Sequence, residues 1–89
     1  MKEQQESSQD TLEAAEKDSE LIVFNDDVNT FNLVINTLIR VCKHSNEQAQ
    51  QCTLIIHFKG KCSVKTGPIE KLKSACQGIL DAGIQAEIV

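Results

Sequence analysis

Asn25-Asp26-Asp27 follows directly on the apolar run Leu21-Ile22-Val23-Phe24. Two carboxylates and an amide at the end of a buried strand offer acceptors for a cation on a rigid mount. The same residue types also form turns and cap helices, and the triplet alone favours that plainer role. His57 is the second group able to do chemistry near neutral pH, because a neutral imidazole both donates and accepts a hydrogen bond. By itself it could equally satisfy a carbonyl at a helix end. Four cysteines stand at 42, 52, 62 and 76, none in the Cys-x-x-Cys spacing of redox or zinc sites. Each falls inside an apolar pattern and reads as a small buried hydrophobe kept as a thiol. No nucleophile is paired with a base and no ligand spacing suits a metal, so neither catalysis nor a cofactor is expected.

The elements that position these groups follow from periodicity. The β-branched run predicts a buried strand over residues 21–25. Asn29 reads as the N-cap of a first helix, with Asp27 placed to favour the positive end of its dipole. Phe31, Val34, Ile35, Leu38, Val41 and Cys42 recur at helical spacing as a broad apolar stripe. Arg40, Lys43 and His44 suit the negative end of that helix, His44 as a surface residue, and Ser45-Asn46 breaks the pattern. Residues 46–59 carry conflicting signals. Cys52 to Phe58 is strand-like by propensity, yet Asn46 can cap, Glu47 to Gln51 favours helix, and Ala49, Cys52 and Ile56 share a helical face. Gly60 then suits a helix end, and the periodic reading predicts a helix. Lys61 to Lys65 alternates polar and apolar as a half-buried strand does. Pro68 opens a helix as its first residue; Ile69, Leu72, Ala75, Cys76, Ile79 and Leu80 repeat along it, and Gly83 ends it. Ile84 to Val89 closes the chain as a strand with Ile84, Ala86 and Ile88 on one face. The order β-α-α-β-α-β makes a two-layer α+β domain.

Charge divides the 89 residues unevenly. Residues 1–20 hold seven acidic residues and two lysines, a net of −5, whereas residues 21–89 carry +1. The first segment is rich in Glu, Gln and Ser and cannot bury enough apolar surface to offset its ordering entropy. It is therefore expected to be a disordered acidic extension. Residues 21–89 suffice for one small domain with no room for a large catalytic cleft. The body is barely basic and its only aromatics are Phe24, Phe31 and Phe58, so nucleic acid is not an expected partner. No apolar run is long enough to span a bilayer and no signal segment is legible. No membrane association is expected, and the default location is the cytoplasm.

At this point the chain resembles the ClpS family, the adaptors that deliver N-degron substrates to AAA+ Clp proteases. The resemblance covers roughly residues 20–89. It rests on Leu21-Ile22-Val23-Phe24-Asn25-Asp26-Asp27 together with Leu54-Ile55-Ile56-His57-Phe58-Lys59-Gly60-Lys61, a helix ending in His-x-x-Gly-Lys. Neither motif is specific alone. The resemblance implies a three-stranded antiparallel sheet packed on three helices, like the C-terminal domain of the ribosomal stalk protein. It implies an adaptor domain over residues 21–89 behind an unstructured extension over 1–20. It also implies a non-enzymatic, monomeric adaptor with two partners: the N-terminal segment of a substrate protein and the N-domain of a Clp AAA+ unfoldase.

By position, Asn25, Asp26 and His57 match the family's residues that bind an α-amino group, with Asp27 and Asn29 at the rim. Phe31, Val34, Thr53, Ile56 and Ile84 match the lining of an apolar pocket for a first residue such as Leu, Phe, Tyr or Trp. Thr53 falls on the gate that sorts branched side chains. Glu70 matches a glutamate of the ATPase-docking surface; the lysine five positions on is here Ala75, and Lys71 or Lys73 is the expected substitute. Asn29-Thr30 stands where the family usually has Thr-Pro, and Phe31 and Thr53 stand where methionines are common, which leaves the preference among bulky residues open. Two other readings stay open: a pocketless regulator that occupies the N-domain of the Clp ATPase, and a small metal- or thiol-dependent sensor using His57, His44 and the cysteines.

Overall fold

The computed structural model describes residues 18–89. The elements are β1 (Ser19–Phe24), α1 (Phe31–Cys42), α2 (Asn46–Lys59), β2 (Lys61–Gly67), α3 (Ile69–Asp81) and β3 (Ala86–Ile88), in the expected β-α-α-β-α-β order. The sheet is antiparallel with strand order β2-β1-β3, so the apolar strand β1 lies at its centre. Leu21 and Val23 alternate onto one face of β1 and are fully buried. Leu38 of α1, Ala49 and Ile56 of α2, Leu72 and Ile79 of α3, and Ile84 complete the core beneath them.

β1 begins two residues earlier than the strand expected over 21–25. Ser19 and Glu20 belong to β1, and Glu20 exchanges two backbone hydrogen bonds of 2.9 Å with Val89. Main-chain pairing recruits these residues, which no side-chain pattern announces. The expected disordered extension otherwise falls on residues 1–17, which lie outside the described residues. β3 is shorter than the predicted strand, and Ile84 precedes it as a buried residue after the turn at Gly83.

Helix α2 forms against local β propensity for three visible reasons. Ser45 and Gln48 make a capping box at its start, so Ser45 and not Asn46 is the cap. Ala49, Thr53 and Ile56 bury a helical stripe, and the Thr53 hydroxyl donates to the Ala49 carbonyl at 2.7 Å. Gly60, at φ 94°, ends the helix in the left-handed conformation, with its N–H on the Ile56 carbonyl. α1 is likewise capped one residue later than expected: Thr30 accepts from the Leu33 N–H at 3.1 Å, which leaves Asn29 free for another task. Pro68 is the N-cap of α3 rather than its first residue.

His44 is a correction. It is buried, not on the surface, and its Nε2 lies 2.7 Å from the carbonyl of Val64. A carbonyl only accepts, so Nε2 carries the proton. Val64 is the residue skipped where the β1–β2 register shifts between Leu21 and Ile22. An irregularity in the sheet thus presents a carbonyl that His44, just past the left-handed cap Lys43, turns inward to meet.

Candidate functional site

One end of the sheet opens into a recess of about 320 Å³. Three elements build it. β1 ends at Phe24 and delivers Asn25, Asp26 and Asp27 to the rim. The first turns of α1 supply Phe31 and Val34, and the last turns of α2 supply Thr53, Ile56 and His57. Ile84, from the turn after α3, closes the floor. A backbone bond holds the two polar halves together: the Asn25 N–H donates to the Gly60 carbonyl at 2.9 Å. That bond pins the end of β1 to the turn three residues beyond His57.

The floor is largely apolar and buried. Val34, Ile56 and Ile84 are buried. Thr53 is buried too, and its hydroxyl proton is committed to the Ala49 carbonyl. The rim is polar and wet: Asn25, Asp27 and His57 are exposed and Asp26 is partly buried. The His57 ring stands edge-on to Phe31, with centroids 5.1 Å apart and planes at 76°. Such contacts orient the imidazole without consuming its nitrogens.

Asp26 organises the rim. Its Oδ1 accepts from the backbone N–H groups of Val28 and Asn29, each at 2.8 Å, and its Oδ2 accepts from the Asn29 amide at 2.7 Å. The Asn29 backbone bond, then the Asn29 side chain and the Val28 N–H, hold its carboxyl below the usual carboxylate value of 3.8. It is a fixed negative charge at neutral pH. The Asn29 amide also donates to the Gly83 carbonyl at 2.9 Å, which ties the rim loop to the turn that carries Ile84.

All ten residues that the sequence suggested for the amino-binding rim and the apolar pocket therefore line one recess: Asn25, Asp26, Asp27, Asn29, Phe31, Val34, Thr53, Ile56, His57 and Ile84. Phe24 and Thr30 line it as well and were not anticipated. Their only sequence signal is adjacency, one beside Asn25 and the other capping α1. Glu70, Lys71 and Lys73 stand apart, exposed on the first turns of α3, where Lys73 Nζ pairs with Glu70 Oε2 at 3.3 Å. Among the described residues, His, Cys, Asp and Glu side chains nowhere gather in threes able to hold a metal. Nor is any described helix long and apolar enough to cross a membrane. The four cysteines are free thiols, and burial, with Cys52 close by, pushes Cys62 up to about 11.

An anionic acceptor, an amide and an imidazole over an apolar floor suit a small ligand that is cationic at one end and greasy at the other. The family model of the ATP-dependent Clp protease adaptor protein ClpS matches residues 14–87. Among solved structures, that of Agrobacterium tumefaciens ClpS2 bound to L-phenylalaninamide matches with a TM-score of 0.71 at 20% identity. The match covers 82% of this chain and 95% of that one. No curated protein matches.

Proposed function

The chain belongs to the ClpS family of Clp protease adaptors, and from that premise we propose that it captures proteins by a free N-terminal residue with a bulky apolar side chain. It then delivers them to the N-domain of a Clp AAA+ unfoldase. The observation that carries this reading is the convergence of Asn25, Asp26 and His57 at the mouth of a recess floored by Val34, Ile56 and Ile84.

The chemistry is that of a split ligand. A chain's α-amino group titrates near 8 and is mostly cationic at neutral pH. The Asp26 carboxylate, the Asn25 side-chain carbonyl and a His57 ring nitrogen accept its N–H groups in charge-assisted hydrogen bonds. The first side chain enters the apolar floor, where burial of a Leu or Phe contributes about 1.5–3 kcal/mol. L-phenylalaninamide, with its free amine and benzyl group, has both parts. An acetylated end loses the charge and leaves buried partners unpaired, at about 1–3 kcal/mol each.

Glu70, Lys71 and Lys73 are assigned to docking on the unfoldase, as exposed charges away from the recess. The cytoplasm suits a chain with four free thiols. A thiol sensor is the weaker reading, because burial that raises Cys42, Cys62 and Cys76 keeps them from the reactive thiolate.

The test is a titration of the full chain with peptides beginning Leu, Phe or Met and with their acetylated forms. Free Leu and Phe ends are expected to bind and acetylation to weaken them at least about tenfold. Equal binding of free and blocked ends would overturn the assignment. Retained ATPase binding without any peptide binding would establish the pocketless regulator.

A further inference from the structure

The apolar surface of α2 does not stop at the recess. Thr53 and Ile56 face the floor and His57 the rim. A helix turns about 100° per residue, so Leu54 and Phe58 follow within about 60–100° of His57, on the side away from Thr53 and Ile56. Both are exposed, Leu54 at 40% and Phe58 at 77%. Phe58 is no isolated side chain. Its ring meets His57 edge-on at a centroid distance of 5.1 Å, the same spacing that separates His57 from Phe31 on the other side. Phe31, His57 and Phe58 thus form a continuous row that starts in the recess and ends on the open surface.

A peptide anchored by its α-amino group at the rim passes over the rim as it leaves, and the row of Phe31, His57 and Phe58 runs from that rim to the open surface. Along an extended chain, side chains alternate, and the first and third point to the same side about 7 Å apart. The second side chain then points to solvent and the third returns to the protein. We propose that Leu54 and Phe58 form a second subsite, which takes an apolar side chain at the third position of the bound N-terminus. The proposal rests on the terminal-residue reading above. It makes Phe58 a specificity residue outside the first pocket, and the ligand class an N-terminus with apolar residues at positions one and three.

The experiment titrates the full chain with four fluorescent peptides: Phe-Gly-Gly, Phe-Leu-Gly and Phe-Gly-Leu ends on a common polar tail, and acetylated Phe-Gly-Gly. Leu at position three is expected to tighten binding about fivefold over Gly, the effect of partly burying one side chain, and Leu at position two to leave it unchanged. Phe58→Ala should erase that gain, read within the variant as the ratio of Phe-Gly-Leu to Phe-Gly-Gly affinity, because the Phe58 ring also touches His57. Leu54→Ser is the second variant and should reduce the gain in the same way. Circular dichroism confirms that each variant folds, as exposed positions predict. A gain at position two, no gain at position three, or a gain that survives both substitutions overturns the subsite while the terminal pocket stands. Phe-Gly-Gly binding no better than its acetylated form overturns the terminal reading, and the subsite with it.

Discussion

Asp26 has two tasks, and the natural test of one disturbs the other. Its carboxylate is the proposed counter-charge for an α-amino group, and it also holds the rim loop through Val28 and Asn29. Asp26→Ala removes charge and loop together. Asp26→Asn keeps an oxygen that can accept from both backbone N–H groups; it removes the charge and the acceptor of the Asn29 amide, but not the loop's backbone bonds. The expected outcome for Asp26→Asn is a thermal transition between those of Asp26→Ala and the parent, and peptide affinity lower by about 10- to 100-fold, the scale of one charge-assisted hydrogen bond. Isothermal titration beside a melting curve checks it; parental affinity would remove Asp26 from the ammonium site. The pH dependence has a definite sign. Hydrogen bonds depress the folded carboxyl below 3.8, so its contribution to stability is complete above that value and fades as pH falls through the lower folded value. Binding should therefore hold on the mildly acidic side as far as Asp26 is concerned. On the alkaline side affinity should drop about tenfold per pH unit above about 8, where the ligand's amine loses its proton. A fluorescence titration from pH 7 to 10 reads this directly.

Among the elements, α2 decides whether a site exists at all, because it carries Thr53, Ile56 and His57 on one segment. As a strand it would send Ile56 and His57 to opposite faces. The capping box at Ser45 and Gln48 is one of the interactions that hold it helical, and Ser45→Ala should lower stability by about 1 kcal/mol, measured by urea denaturation. The partner element α1 is set by its crossing with α3. Gly78 lies there, and a Cβ at that position would come within 3.0 Å of both γ carbons of Val41. Val41 is β-branched and stiff inside a helix, so it yields little. Gly78→Ala is expected to lose about 1 kcal/mol net, overpacking outweighing the gain in helix propensity. Val41→Ala added to it should recover part of that loss, because it removes the atoms that clash. Additive losses in the double variant would show that the crossing is not what limits this position.

At the scale of the molecule, charge and site are separate. Residues 1–20 carry −5, and every lining residue named lies between Phe24 and Ile84. Capture and delivery should therefore separate as well. Deleting residues 1–17 is expected to leave peptide affinity within about twofold of the parent, since no residue that lines the recess is removed. Degradation of a Phe-ended reporter by the unfoldase and its peptidase, scored for the same deletion, reads whether residues 1–17 take part in delivery. Unimpaired degradation would confine the adaptor's work to residues 18–89.

Much of this was legible in the sequence because it depends on local rules. The alternation of Leu21 and Val23, the stripe of Leu72, Ala75 and Ile79, and the glycine after α2 specify strand, helix and stop from neighbours alone. The two motifs around Asn25 and His57 pointed to residues that line the recess before any distance was known. Tertiary structure decided the rest. The Asn25 N–H on the Gly60 carbonyl brings two segments far apart in sequence into one rim. Thr30 displaces Asn29 as the cap, and Asn29 instead bridges Asp26 to Gly83, a partner 54 residues away. His44 goes inward because a shift in sheet register presents the Val64 carbonyl to it. The physical reason is common to all three. A polar group of main chain or side chain takes the acceptor or donor that the packed chain places within hydrogen-bond reach, and local sequence does not encode which one that is.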